Sequence, residues 1–287
     1  AFVDKVLSCT LQFGHVLYCM DNETNADPRW GRYWAGYVRD RAARRGCRVE
    51  TTEMWDNWDP SDGEVPGARV QTIEDHPHLH RSNVGVTLAS PDVYTFVDIS
   101  NHNTQRGGVH YRTALYVRDR IAESGVIRPI TCVKMYGGDP ETPFSGEAVH
   151  GEERFWRNVF AGVSAVRFHR PKTGLGLSRL AQTHIRSMRM LTAEMDLLNC
   201  EPHNDLLAER TEDAAYCLAR SGAEYAVCFM DGGEVVLDCS EVAGEVSVRW
   251  LDVRRSAWGP EQAMGAAGRL PLRAPGGGFR VALVKAL

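Results

Sequence analysis

The chain has 287 residues, 43% of them apolar, 24% charged and 9% aromatic, enough for a substantial core in one large α/β domain or in a medium domain plus a small one. Its 33 Lys+Arg against 37 Asp+Glu give a net charge of −4, which offers no electrostatic footprint for nucleic acid. No apolar run reaches the roughly 18 residues of a membrane span, and no basic-then-apolar leader precedes the first residue, Ala1, so the chain reads as processed, trimmed or a fragment.

His15–Met20 (HVLYCM) is a short apolar run ending in Asp21-Asn22-Glu23. A helix is expected from Pro28 to Arg45, with Trp30, Trp34, Tyr37, Val38 and Arg41 at spacings of three and four and Gly46 as its stop. Arg48–Met54 is the next expected strand, leading into Trp55-Asp56-Asn57-Trp58, and Val93–Ile99 is another, leading into Ser100-Asn101-His102-Asn103. A helix over Tyr111–Ser124, a strand over Arg128–Tyr136 broken by Gly137-Gly138-Asp139, a helix over Glu152–Gly162 and a strand over Ser164–His169 follow. Leu180–Leu198 carries the spacing of a strongly amphipathic helix.

Alternating strands and helices with near-continuous apolar strands indicate a parallel sheet covered by helices. Polar and aromatic residues collect just after these strands, where parallel α/β folds bind ligands. Beyond about residue 210 the helical period disappears. Ala214–Ala219, Tyr225–Met230, Glu234–Cys239, Glu245–Val253, Arg269–Arg273 and Phe279–Val284 read as six short strands of an antiparallel sandwich, with a hairpin expected at the Gly-Gly-Glu turn, Gly232–Glu234.

The eight cysteines contain no C-x-x-C pair, and most lie in apolar segments, as buried free thiols do. No G-x-G-x-x-G follows a strand, and neither a P-loop lysine motif nor a G-x-S-x-G elbow is present.

Glu23 is a carboxylate at a strand's carboxyl end, beside the amide of Asn22. That suits a general acid protonating a glycosidic oxygen while the amide holds a sugar hydroxyl. A loop salt bridge or a cap for the next helix is the competing role. Glu53 is a second strand-end carboxylate, able to share the work as nucleophile or base, or else to pair with a nearby arginine. Trp55 and Trp58 offer faces for a sugar or for packing, and Asn101, His102, His169 and Arg170 stand after later strands. His76, His78 and His80 (HPHLH) are read as a polar loop lining the cleft more readily than as a metal site.

VLYCMDNET, PRWGRYWAGYVRD and TTEMWDNWD resemble clan A glycoside hydrolases, with the nearest likeness to the apiosidase-like group, family 140. FWRNVFAGVSAVRFHRP resembles that group's last barrel strand, and EYAVCFMDGGEVVLDCS with the segments after it resembles the small sandwich, called collagen-binding, that follows such barrels. The resemblance implies a (β/α)8-type TIM barrel with an acid/base Glu ending the fourth strand and a nucleophile Glu ending the seventh. With Glu23 in the fourth position, the seventh strand is Arg128–Tyr136, and Lys134 stands near the nucleophile's place. Glu53, Glu147 or Glu152 would then replace the nucleophile, or hydrolysis is lost. Only five β/α units fit, so residues 1–208 are expected to be the C-terminal part of a barrel and 209–287 the sandwich.

The expected function is glycoside hydrolase-like action on a plant or microbial polysaccharide or oligosaccharide. Glu23 and Glu53 would be catalytic, with Asn22, Trp55, Trp58, Asn101, His102, Lys134 and His169 binding substrate and with no metal or organic cofactor. A pair of carboxyls about 5 Å apart would retain configuration, and a gap of about 6.5–9.5 Å would invert it. The alternatives are a non-catalytic carbohydrate-binding protein on a degenerate barrel, for which Lys134 speaks, and a metal-dependent hydrolase built on His76–His80. Oligomeric state stays open, as does location, since the cysteines lean to a reducing compartment and the resemblance leans to secretion.

Overall fold

The computed structural model describes residues 1–68, 84–136, 147–169, 171, 176–265 and 268–287, and of residues 103 and 104 only the backbone. The histidines at 76, 78 and 80, the Gly137–Asp139 break and Arg170 lie outside the described residues. The chain forms two compact units, one of residues 1–105, 112–134 and 163–165, the other of 106–111, 135–162 and 166–287.

In chain order the elements begin with α1 (Phe2–Thr10), β1 (Leu17–Cys19), α2 (Pro28–Ala43), β2 (Glu50–Thr52), α3 (Val84–Leu88) and β3 (Val97–Asp98). A 3-10 turn at Ser100–Thr104 leads to α4 (Gly107–Glu123), β4 (Ile130–Met135), α5 (Ala148–Phe160), β5 (Ala165–Phe168) and α6 (Arg179–Glu194). Strands β1 and β2 pair in parallel, as do β3 and β4, and one sheet runs β3-β4-β5. β2 joins the next segment through Thr95 N donating to Thr51 O at 2.9 Å and Thr52 Oγ1 donating to Phe96 O at 2.8 Å. The α/β alternation is therefore present, with strands two to six residues long and shorter than the apolar runs that announce them.

In the first unit, α2 starts where Asp27 accepts the Arg29 N–H at 2.9 Å and Pro28 fills the first turn. Helix α1, which the sequence pattern did not reveal, buries Leu7 and Leu11 against Val38 and Ala42 of α2. Tyr18 and Met20 pack on that same cluster, so one face of the β1 segment meets the helices. Leu17 points the other way and is 55% exposed.

In the second unit the two-residue strands β6 (Glu201–Pro202) and β7 (Leu207–Ala208) precede β8 (Ala215–Arg220), β9 (Glu224–Phe229) and β10 (Glu234–Asp238). β11 (Glu245–Asp252), β12 (Ala257–Trp258), β13 (Gln262–Gly265), β14 (Arg269–Arg273) and β15 (Arg280–Ala286) complete the order. One antiparallel sheet runs β12-β11-β15-β9-β8-β6, with β13 also on β11, and the other runs β14-β10-β7. Their buried faces share one core: Leu207, Val235, Leu237, Leu270 and Leu272 from the smaller sheet meet Cys217, Val227, Phe229, Val248 and Val284 from the larger. The Gly232–Glu234 turn is not a hairpin, because β9 pairs with β8 and β15 while β10 pairs with β14 and β7. Gly232, at φ 67°, redirects the chain from one sheet to the other, and a Cβ there would stand 2.6 Å from Gly276 O.

This unit also takes in α5 and α6. Arg157 of α5 donates from Nε to the Tyr216 hydroxyl of β8 at 3.0 Å, and Ser187 of α6 donates to Val253 O at 2.6 Å. Among the described residues no helix is long and apolar enough to cross a membrane, and all eight cysteines are free.

Candidate functional site

The carboxyl ends of β1 to β4 bring together one strong polar contact. Lys134 Nζ, near the end of β4, donates to Glu23 Oε1, just beyond β1, at 2.6 Å, joining residues 111 positions apart. The Lys134 side chain is 12% exposed and that of Glu23 is 42% exposed, so the pair lies at the boundary with solvent. Glu23 holds a left-handed backbone, φ 54°, a conformation of order 1 kcal/mol unfavourable for a residue with a Cβ. It is fixed there by the next residue: Thr24 N donates to Met54 O at 2.9 Å, and Thr24 O accepts from Asp56 N at 3.0 Å. Asn22 is exposed beside it, with its backbone N–H donated to Asp21.

Glu53 was expected as the companion acid, and the register turns it elsewhere. Tyr18 pairs with Thr51 and Cys19 with Thr52, and paired residues of parallel strands share a face. Thr51 and Glu53 therefore face the helices with Tyr18 and Met20. The surroundings agree: a Cβ on Gly31 of α2 would collide with Glu53 Oε2, and the Tyr94 hydroxyl donates to the same oxygen at 3.3 Å. Glu53 is 1% exposed, and burial pushes its carboxyl up to about 7, against the Tyr94 bond, with the charge of Asp21 adding to the rise.

Several other expected binding residues are used by the framework. Trp55 is buried, its indole N–H given to Thr87 Oγ1 at 2.8 Å, so its ring is not open to a sugar. Asn101 is buried and donates to Trp55 O at 2.8 Å, and His102 is fully buried with Nδ1 2.7 Å from Ile99 O. Trp58 stays half-buried, its carbonyl accepting from Gln105. In the second unit the half-buried ring of His169 stacks on Tyr136 at a centroid distance of 4.4 Å.

Two strand-end carboxylates escaped the sequence pattern. Asp98, ending β3, is buried and accepts from Ser100 N and Oγ and from Thr131 Oγ1 at 2.8–2.9 Å. Burial raises its pKa and favours the neutral form, opposed by those bonds and by the cation of Lys134. Asp56 lies beside the Glu23 turn, 3.5 Å from Asn25 Nδ2. The V-D-I-S and W-D-N-W contexts were the available signals, masked by the aromatic and amide neighbours.

Of the loop acids considered as replacements, Glu147 precedes α5, and Glu152 is committed within the second unit. His184 Nε2 lies 3.0 Å from Glu152 Oε2, Arg254 bonds both oxygens, and the Trp156 indole N–H is given to His184 Nδ1 at 2.9 Å. Although burial opposes it, those partners hold the Glu152 carboxyl below its usual range. Among the described residues no group of His, Cys, Asp or Glu is arranged to hold a metal ion.

No family model matches the chain, and no curated protein matches it. Among solved structures it is similar to a glycoside hydrolase over 90% of this chain and 69% of that one, at 11% identity and a TM-score of 0.58. It is similar to a family 5 glycoside hydrolase from Bacteroides vulgatus ATCC 8482 over 90% of this chain and 65% of that one, at 11% identity and a TM-score of 0.54. A family 39 glycoside hydrolase from the gut symbiont Bacteroides cellulosilyticus WH2 matches over 99% of this chain and 60% of its own, at 11% identity and a TM-score of 0.53. The chain spans 60–69% of these proteins, and at such identity the likeness is one of fold.

Proposed function

We propose that the protein is a carbohydrate-active protein of glycoside-hydrolase type. A saccharide from a plant or microbial glycan lies over the carboxyl ends of β1 to β4, and Glu23 acts as acid/base. The observation that carries this is the Glu23–Lys134 pair at 2.6 Å, a proton-exchanging group and a hydrogen-bond donor held side by side where α/β folds bind ligands. Asn22 and Lys134 would hold hydroxyls, and no metal or organic cofactor is called for. On this proposal residues 1–208 are the C-terminal five β/α units of a (β/α)8 barrel, of apiosidase-like kind, and 209–287 a small β-sandwich. The parallel pairing of β1 with β2 and of β3 with β4 supports the first, and the core shared by two antiparallel sheets supports the second.

Glu23→Gln tests it. Turnover on the best glycan substrate is expected to fall about 10²- to 10⁴-fold with binding retained, measured by reducing-end release and calorimetry. Turnover unchanged in Glu23→Gln removes Glu23 from the chemistry.

A second proposal, a carbohydrate-binding protein without turnover, is favoured by Lys134 itself. An ammonium stands where a companion carboxylate would be wanted, and Glu53 faces the helices instead. Binding by the native chain with no hydrolysis of any glycan it binds is the outcome that selects it.

A further inference from the structure

We propose that Glu53 is a pH-sensitive latch: as a neutral acid it seats helix α2 on β2, and its ionisation loosens α2 together with the turn that carries Glu23. This stands whether or not the site turns over a glycan.

The contact is direct. Glu53 Oε2 occupies the place a Cβ on Gly31 would need, so strand and helix meet at the carboxyl itself, with Tyr94 Oη closing the third side. Oε1 is buried and has no hydrogen-bond partner among the described residues. The titratable and charged groups around it do not offset a negative charge. From the β1 side come the Cys19 thiol and the Asp21 carboxylate, and from the segment before β3 the Tyr94 hydroxyl. From α2 comes Arg32, whose guanidinium is held by Ser90 Oγ at 2.7 Å and whose charge acts on Tyr94. A charge on Glu53 would therefore be desolvated, half-bonded and opposed by Asp21, and the seam can relieve it only by admitting water.

The turn bearing Glu23 is tied to both sides of that seam. Met54 O, one residue from Glu53, accepts from Thr24 N, and Asp27 caps the helix that Gly31 belongs to. Residues 24–27 thus hang between the strand and the helix that Glu53 holds together. With Glu23 in a strained backbone conformation, small movement of α2 is enough to release the Lys134 contact.

The sign follows from the raised pKa, about 7 folded against 4.5 for the free side chain. Below the lower value both states are protonated and nothing is lost. Between the two the folded chain holds a proton the unfolded chain has given up, so stability falls as pH rises, and it levels off above about 7. The full difference corresponds to about 300-fold in the folding equilibrium.

The test compares the native chain with Glu53→Gln by thermal unfolding and by hydrogen exchange of residues 21–31, each at about pH 5 and about pH 8. The native chain should lose melting temperature, and lose protection against exchange relative to the pH-dependent intrinsic rate, at the higher pH. Glu53→Gln should show little of either and be the more stable form there. Parallel profiles for the two proteins overturn the proposal. Should Glu53→Gln fail to fold, the infrared carbonyl band of the native protein decides. With 13C-labelled glutamate to set it apart from the buried Asp98, a protonated glutamate carboxyl persisting at pH 6 and titrating near neutrality supports the latch, and its absence at pH 6 refutes it.

Discussion

Lys134 and Glu23 hold each other at 2.6 Å, but Glu23 is 42% exposed and water competes for it, so the pair contributes little to folding. Lys134→Met should change the unfolding free energy by less than about 1 kcal/mol. On the proposed function, the same change should weaken glycan binding about 10- to 100-fold, the range for losing a hydrogen bond from a charged group. Thermal denaturation and titration calorimetry on one preparation separate the two effects. Glu53, the same residue type as Glu23, behaves oppositely because its register faces the helices. That difference was hidden in TTEMW: Thr51, Thr52, Glu53, Met54 and Trp55 are all buried, so no polar alternation marks which face is which. The strand-end placement of Glu23 and Lys134 was legible; their contact across 111 positions was not.

At the scale of elements, Gly31 decides how closely α2 approaches β2. Gly31→Ala forces a methyl into Glu53 Oε2 and should destabilise the protein by about 1–3 kcal/mol despite alanine's better helix propensity. Glu53→Ala added to it should return part of that loss, a non-additivity that urea denaturation of the single and double variants measures. Helix α2 was legible from its spacing, with Asp27 and Pro28 at its start and Gly46 beyond its end, at φ 69°. Helix α1 was not, because its apolar residues serve only a narrow contact with α2. The two-residue strands β6, β7 and β12 were missed for another reason: pairing with a neighbour defines them, and two residues carry no period.

For the whole molecule, the six expected C-terminal strands all appear as β8, β9, β10, β11, β14 and β15, but turn glycines alone do not tell a hairpin from a crossing between sheets. The Gly232–Glu234 turn is such a crossing, fixed by pairing with β14 and β7 far along the chain. None of this relies on covalent cross-links. All eight cysteines are free, so a reductant such as dithiothreitol should leave the melting temperature unchanged in scanning calorimetry. Storage behaviour should be governed instead by the outward face of β1, where Leu17 and Cys19 both meet solvent on a strand that, among the described residues, pairs on one side alone. Such a border templates lateral joining of molecules. Leu17→Lys should keep concentrated solutions monodisperse by light scattering where the native chain slowly clusters.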